Sequence, residues 1–384
     1  MPTDPILQFM NERRGEMLAL LRRLVEQESP TSNKAAVDAC LDLIGGEVER
    51  LGGRVKRHRA RQFGDHLEAG FDFGAGRGRG RGRLLVLGHA DTVWELGTLA
   101  RMPFRVKDGR AYGPGTLDMK AGITAAVFAL RALHELGLRP RNRVALLLNS
   151  DEEVGSPSSR AITERLARGA KAVLVVEPGA GPRGALKTAR KGVGQYRVEV
   201  HGQAAHAGVD FTKGASAIVE MGRQIARIAG FTRLKRGITV NPGVIGGGTR
   251  SNVIAGHAWA EVDVRIARLA DAGYIERRFW SLRPFGRRTR VEVAGGLNRP
   301  PMERTPAIAA LFRGARDIGK SLGLELEESS TGGGSDGNFT AALGVPTLDG
   351  LGGVGEGAHA AHEHILLEPF PARAALLAHL LLSL

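Results

Sequence analysis

The chain has 384 residues, 42% of them hydrophobic and 24% charged. At roughly 150 residues per domain that length predicts two to three domains, and the composition excludes a disordered, collagenous or coiled-coil architecture. Net charge is +14, but only 10 of the 54 basic residues are Lys, so the excess reads as an Arg-rich composition and not as the footprint of a nucleic-acid partner.

The N-terminal stretch has no basic segment followed by an apolar core, and no apolar run approaches the ~18 residues of a membrane span. A cytoplasmic protein with no membrane partner is expected. The single cysteine, Cys40, excludes an intramolecular disulfide and leaves His, Asp and Glu to hold any zinc. Apolar residues at helical spacing predict helices over 5–28 and 34–51. The segment GAGRGRGRGR at 74–83 lies between two strand-like runs and reads as a solvated hairpin loop. Strands are expected at 83–88, 143–149 and 172–177, with helices at 119–136 and 158–168 between them. These strands are apolar throughout, as in a sheet covered on both faces.

Near residue 187 the pattern changes. GQYRVEVHG alternates apolar and polar residues, as a half-exposed antiparallel strand does. A helix over 215–228, strands at 237–246 and 256–264, a helix at 269–282 and a strand at 290–295 follow, in the β-α-β-β-α-β order of a ferredoxin-like sandwich. From residue 305 the apolar style resumes. The expected organisation is therefore a first domain over 1–188 and 300–384, interrupted by an inserted domain over 189–299.

Polar residues gather where the apolar strands end, which is where open α/β sheets bind ligands. GHADTVW places His89 at a strand terminus, with Asp91 two residues on, suited to fix the tautomer of a metal-bound imidazole. YGPGTLDMKAG sets Asp118 just before a helix, where the motif taken alone favours an ordinary N-cap. NSDEEVGS closes a strand with Asp151, Glu152 and Glu153, acids that must be solvated or held by a cation. VVEPG adds Glu177, and GAHAAHEHI adds His359, His362 and His364. Two His and three carboxylates without thiolate suit a dinuclear zinc hydrolase.

These strings, with HGQAAHAG and GGTRSNV, resemble in order and spacing the glutamate carboxypeptidase, acetylornithine deacetylase and succinyl-diaminopimelate desuccinylase family of dinuclear zinc metallopeptidases, most closely its carboxypeptidase branch. The resemblance implies a dizinc aminopeptidase-like α/β catalytic domain with an inserted α+β ferredoxin-like lid and dimerisation domain. It implies two Zn2+ per subunit, with Co2+ or Mn2+ as substitutes, bridged by Asp118, one completed by His89 and Glu177 and the other by Glu153 and His359. His362 is the alternative ligand in the last motif. By the same resemblance Glu152 is the general base, Asp91 supports His89, His206 stabilises the oxyanion from the lid of a partner subunit, and Asn252 and Arg265 bind the substrate carboxylate. It also implies a cis peptide after Asp118. Gly333 and Gly334 lie in TGGGSDGNFT, which resembles a loop shaping the substrate pocket. Arg190 and Lys191 read as an exposed hinge. The expected activity is hydrolysis of the amide bond to a C-terminal amino acid of a small peptide or N-acyl amino acid by a homodimer. A deacylase of acetylornithine deacetylase type is the alternative, and a non-hydrolytic binding protein the remote one.

Overall fold

The computed structural model describes residues 4–73 and 82–384. Its fold is mixed α/β, divided into two compact units. One comprises Met1–Ala189, Arg304–Thr331 and Ser335–Leu384; the other is Arg190–Glu303 with Gly332–Gly334.

The first unit is built on a six-stranded sheet. Its strands Arg143–Asn149, Arg83–His89, Ala170–Val175 and Thr347–Leu348 are successive parallel neighbours. Two antiparallel strands, His66–Phe71 and Arg54–His58, extend it beyond Arg143–Asn149. The central strands carry apolar residues without alternation because both faces are covered. Leu84, Val86, Leu146 and Leu174 join the large core that includes helices Ala121–Glu135 and Phe370–Ser383, while Leu85, Leu87, Leu147 and Val173 pack on the other side with Leu166 and Ala167. Full burial of each such aliphatic side chain is worth roughly 1.5–3 kcal/mol.

In this unit two expectations need correction and one strand was not expected. The run over 5–28 is two helices, Pro5–Glu12 and Arg14–Glu26, broken at Arg13, whose φ of −103° and ψ of 17° are not helical. There the Arg13 guanidinium lies 3.9 Å from the Phe9 ring centroid, and it is paired with Glu135. The strands His66–Phe71 and Arg83–His89 do not form a hairpin, because Arg143–Asn149 lies between them; the Gly-Arg segment itself falls outside the described residues over 74–81. Strand Arg54–His58 gave no apolar signal, as befits a charged edge strand.

The second unit has the order strand Gly192–His201, helix Ala217–Ala229, strands Thr239–Gly247 and His257–Ile266, helix Ala272–Trp280 and strand Arg290–Arg299. Its four long strands are all antiparallel, arranged second, third, first, fourth. Tyr196, Val198, Val200, Ala258, Ala260 and Val262 point to one face, under Met221, Ile228, Ile275 and Phe279 of the helices. Arg190 is buried, not an exposed hinge, since its guanidinium donates to the carbonyls of Gly333 and Gly334 at 3.1 and 3.2 Å.

Helix Ala121–Glu135 starts against the end of strand Ala170–Val175 so closely that a Cβ on Gly122 would lie 1.8 Å from the Val176 carbonyl oxygen. Gly122→Ala is expected to lower the unfolding free energy by about 3 kcal/mol through overpacking. Gly314→Ala, in helix Pro306–Ser321 with nothing within 4 Å of the added methyl, is expected to raise it by about 0.5–1 kcal/mol. Urea denaturation of both variants checks the pair, and equal effects would contradict the close approach at Gly122.

Candidate metal centre

Three parallel strands of the first unit deliver polar residues from their carboxyl ends. His89 closes Arg83–His89, level with Asn149 across the sheet. The chain leaving Asn149 passes through Asp151 into a single 3-10 turn, Glu152–Val154. Glu177 follows two residues after Ala170–Val175. Asp118 comes from a turn over Thr116–Lys120 that feeds helix Ala121–Glu135, and its peptide bond to Met119 is cis. His359 lies in the loop before strand His364–Leu366, in the left-handed region with φ of 63°, a conformation uncommon outside glycine.

These residues converge. His89 Nε2 lies 3.2 Å from Asp118 Oδ1 and 3.6 Å from Glu177 Oε1. His359 Nε2 lies 3.4 Å from Asp118 Oδ2 and 3.4 Å from Glu153 Oε2. Asp118 thus offers one oxygen to each imidazole. Ligand atoms of His89, Glu152 and Glu177 lie within 4.8 Å of one another, as do those of His89, Asp118 and Glu153. His362 is exposed, and its carbonyl accepts from His364 Nδ1, so in the last motif His359 makes the approach to Asp118 and Glu153.

The donor set fits a pair of divalent cations. Ligand atoms bound at about 2.0–2.2 Å around one tetrahedral ion are about 3.4 Å apart, the spacing seen here. Glu153 Oε1 is buried without a hydrogen-bond partner, an atom whose desolvation a cation offsets. Burial disfavours the imidazolium of His89, yet Asp118, Asp91 and Glu177 raise its pKa well above the ordinary value. Hydrogen bonds to Asp118 and Glu153 push His359 up to about 10. Burial alone would raise Asp118, but His359 and His89 outweigh it and hold the carboxyl well below the carboxylate range. Burial raises Glu153 in spite of His359. The acids thus favour the protonated form of both imidazoles.

Other carboxylates nearby are saturated by donors. Asp91 is fully buried; its Oδ2 accepts from the Thr31 hydroxyl at 2.8 Å, and its two oxygens accept the backbone N–H groups of Glu152 and Glu153, each at 3.3 Å. His89 Nδ1 is 2.9 Å from the Asp91 carbonyl oxygen and 3.5 Å from Asp91 Oδ1, so the main chain is the nearer support of the ring. Asp151 accepts from the N–H and hydroxyl groups of Ser158 and Ser159, ahead of helix Arg160–Ala167.

Glu363, the acid within GAHAAHEHI, takes a place in the structure that its motif does not announce. Its buried carboxylate accepts from Trp94 Nε1 at 2.8 Å and Gly115 N at 2.9 Å on Oε2, and from Leu117 N at 2.8 Å and Asp118 N at 3.1 Å on Oε1. It ties the His359 loop to the turn that carries Asp118. Nothing local in AHEHI signals this, because the partners lie some 245 residues earlier.

The remaining expected residues lie in the second unit. His206 is exposed, on a two-residue strand whose partner is Val253–Ile254, and Ala207 N donates to the Asn252 carbonyl at 2.9 Å, so His206 and Asn252 are neighbours. Arg265 makes a two-pronged contact with Asp263, Nε to Oδ1 and Nη2 to Oδ2, both at 2.9 Å, while Nη1 is 3.3 Å from the Gly332 carbonyl. Gly333 and Gly334 turn their carbonyls to Arg190.

Comparison with known proteins gives a consistent result. Residues 85–383 match the family described as peptidase family M20/M25/M40. The chain is 30% identical to carboxypeptidase G2 of Pseudomonas sp. (strain RS-16), over 99% of this chain and 92% of that protein. It is 27% identical to the succinyl-diaminopimelate desuccinylase of Delftia acidovorans, over 91% of this chain and 93% of that one. Its fold is similar to that of aminopeptidase PepT from Bacillus cereus, with a TM-score of 0.77 and 22% identity, covering 96% of this chain and 98% of that one.

Ligating imidazoles must be neutral, so cation binding at pH 7 is expected to release about two protons per subunit, one each from His89 and His359. The number falls as the pH passes about 10, where His359 has already lost its proton. Calorimetric titration with Zn2+ in buffers of different ionisation enthalpy measures the release, and none at pH 7 would contradict the charge state described. Glu363→Gln, which sets an amide NH2 against N–H donors, is expected to weaken metal binding about 10- to 100-fold. Competition with a chelator reads this, and unchanged affinity would remove Glu363 from the support of Asp118.

Proposed function

This chain belongs to peptidase family M20/M25/M40 and is a metallo-hydrolase of amide bonds; from that premise we propose that it is a dizinc carboxypeptidase, releasing a C-terminal amino acid, with glutamate the first to test, from a small peptide or N-acyl amino acid. The observation that carries the reading is Asp118, whose two oxygens address two different imidazoles, as a bridging carboxylate must. The carboxypeptidase branch is supported by likeness to carboxypeptidase G2 along nearly the whole chain. The full-length likeness to a desuccinylase favours, as second reading, a deacylase acting on a smaller acyl group with the same residues.

In this reading His89, Glu177 and Asp118 hold one zinc and Asp118, Glu153 and His359 the other, with Co2+ or Mn2+ accepted in their place. The metal pair, when bound, supplies Lewis acidity for the scissile carbonyl and acidifies water. Glu152 takes the proton from the attacking water on a carboxylate oxygen and delivers it to the leaving amine nitrogen. Asp91 holds the turn that carries Glu152 and Glu153, and its carbonyl keeps His89 in the tautomer that presents Nε2. His206 of the partner subunit stabilises the oxyanion, which makes the protein a homodimer. Asn252 and Arg265 bind the substrate carboxylate, Asp263 holding the guanidinium in place, and Gly333 and Gly334 shape the pocket. The location proposed is cytoplasmic, in keeping with a lone, buried, unpaired Cys40.

The test is a panel of peptides ending in Glu and of N-acyl amino acids, each also as the C-terminal amide, assayed with zinc-replete protein. Peptide acids are expected to be cleaved and their amides spared, while preference for short N-acyl groups would select the deacylase. Glu152→Gln is expected to lose at least about 10²- to 10⁴-fold in kcat with both metals retained, whereas Glu153→Gln is expected to lose one metal. Wild-type turnover by Glu152→Gln would overturn the assignment of the base, and inactivity of the two-zinc protein on the whole panel would overturn the substrate class.

A further inference from the structure

Strand alternation in the second unit sorts its residues between a face under the helices and an open face. On Gly192–His201, Val198 and Val200 point to the helices, leaving Glu199 and His201 on the other side. Register then adds two residues to that side. His257 stands directly across from His201 on one neighbouring strand, and Glu292 across from Glu199 on the other.

Glu199, His201 and His257 converge through a single atom each, and Glu292 approaches His201 from the other strand. His257 Nε2 is 3.3 Å from Glu199 Oε2, His201 Nε2 is 3.9 Å from the same oxygen, and His201 Nε2 is 3.1 Å from Glu292 Oε2. The ring centroids of His201 and His257 are 5.2 Å apart. Ligand atoms of Glu199, His201 and His257 all lie within 4.8 Å of one another. Each carboxylate gives its other oxygen to an arginine, Glu199 Oε1 to Arg197 Nε at 2.7 Å and Glu292 Oε1 to Arg290. The guanidiniums aim both Oε2 atoms at the imidazoles, as outer partners aim metal ligands. Arg197 also holds the Glu199 carboxyl below the ordinary range, with His257 adding to the effect.

We infer that this open face carries a third metal site, in which His201, His257, Glu199 and Glu292 take one first-row divalent cation. The spacing of 3.1–3.9 Å brackets the roughly 3.4 Å between ligands of one tetrahedral ion bound at 2.0–2.2 Å. Two imidazoles with two carboxylates select Zn2+, Ni2+ or Cu2+ over Mg2+ and Ca2+, which favour all-oxygen shells. The arginines balance the two carboxylate charges, so attraction comes from the imidazole nitrogens and the site is weaker than the centre around Asp118. The ion would join three adjacent strands, and a ligand bound only by the folded state stabilises it by mass action.

The test uses the full-length protein dialysed to equilibrium against Zn2+, with metal counted by elemental analysis. Wild type is expected to take one more ion per subunit than the double variant His201→Ala/His257→Ala, whose kcat/KM with two zincs stays at the wild-type value. Equal stoichiometry overturns the inference. Cu2+ added to the two-zinc protein is expected to give an electron paramagnetic resonance spectrum with coupling to two imidazole nitrogens, lost in the double variant. Glu199→Gln and Glu292→Gln are each expected to weaken that Cu2+ site about tenfold or more. A spectrum and affinity unaffected by any of these substitutions also overturns it. Because the comparison counts the ion lost from the sheet, it is decided independently of the role given to Asp118.

Discussion

Like charges gathered in a buried site must be neutralised there, and this requirement organises the first unit around Asp118. Glu152, Glu153 and Glu177 are brought to the carboxyl ends of the two strands that flank Arg83–His89, where water is largely excluded and their repulsion is poorly screened. Two imidazoles face these acids, and their upward pKa shifts follow from that position. Cations replace imidazole protons with greater charge and fixed geometry. A site of this kind is stable when filled and costly to assemble around hydrophobic neighbours alone.

The acids of the region fall into two physical groups. Asp91, Asp151 and Glu363 are surrounded by N–H and O–H donors and act as anchors for loops. Asp118 and Glu153 instead face imidazole nitrogens, and Glu153 retains an oxygen without a partner. The anchors are also the more deeply buried of the two groups, and the character of the partner marks which carboxylates hold the frame and which are suited to hold a cation. The anchoring bonds also explain how flexible loops present ligands precisely enough: Asp91 fixes the turn beginning at Glu152, and Glu363 fixes the turn ending at Asp118.

Much of this was legible in the sequence because it is local. Apolar runs ending abruptly in His89, Glu152, Glu153 or Glu177 mark strand ends, and the shift to alternation in GQYRVEVHG marks the second unit. Contacts that depend on chain folding left no trace. Glu363 reads as one acid among histidines until its partners at Gly115 and Leu117 are seen. The neighbour of Arg83–His89 is a strand from some 60 residues later, preferred over the preceding His66–Phe71 because Arg143–Asn149 is apolar on both faces and suited to a central position. Arg190 reads as an exposed hinge because it stands with Lys191 where the second unit begins, whereas its carbonyl partners beyond residue 330 bury it.

The strand that opens the second unit is hydrogen-bonded to the strand that closes it, with Val193 opposite Arg299 and Arg190 N bonded to the Met302 carbonyl. Entry and exit are therefore adjacent once this unit folds. The polypeptide of the first unit then meets an interruption of more than a hundred residues as though it were a short turn, without the entropy of closing a long loop. During synthesis this spares the exposed edge of Ala170–Val175, which waits for Thr347–Leu348, a search through a disordered intervening chain.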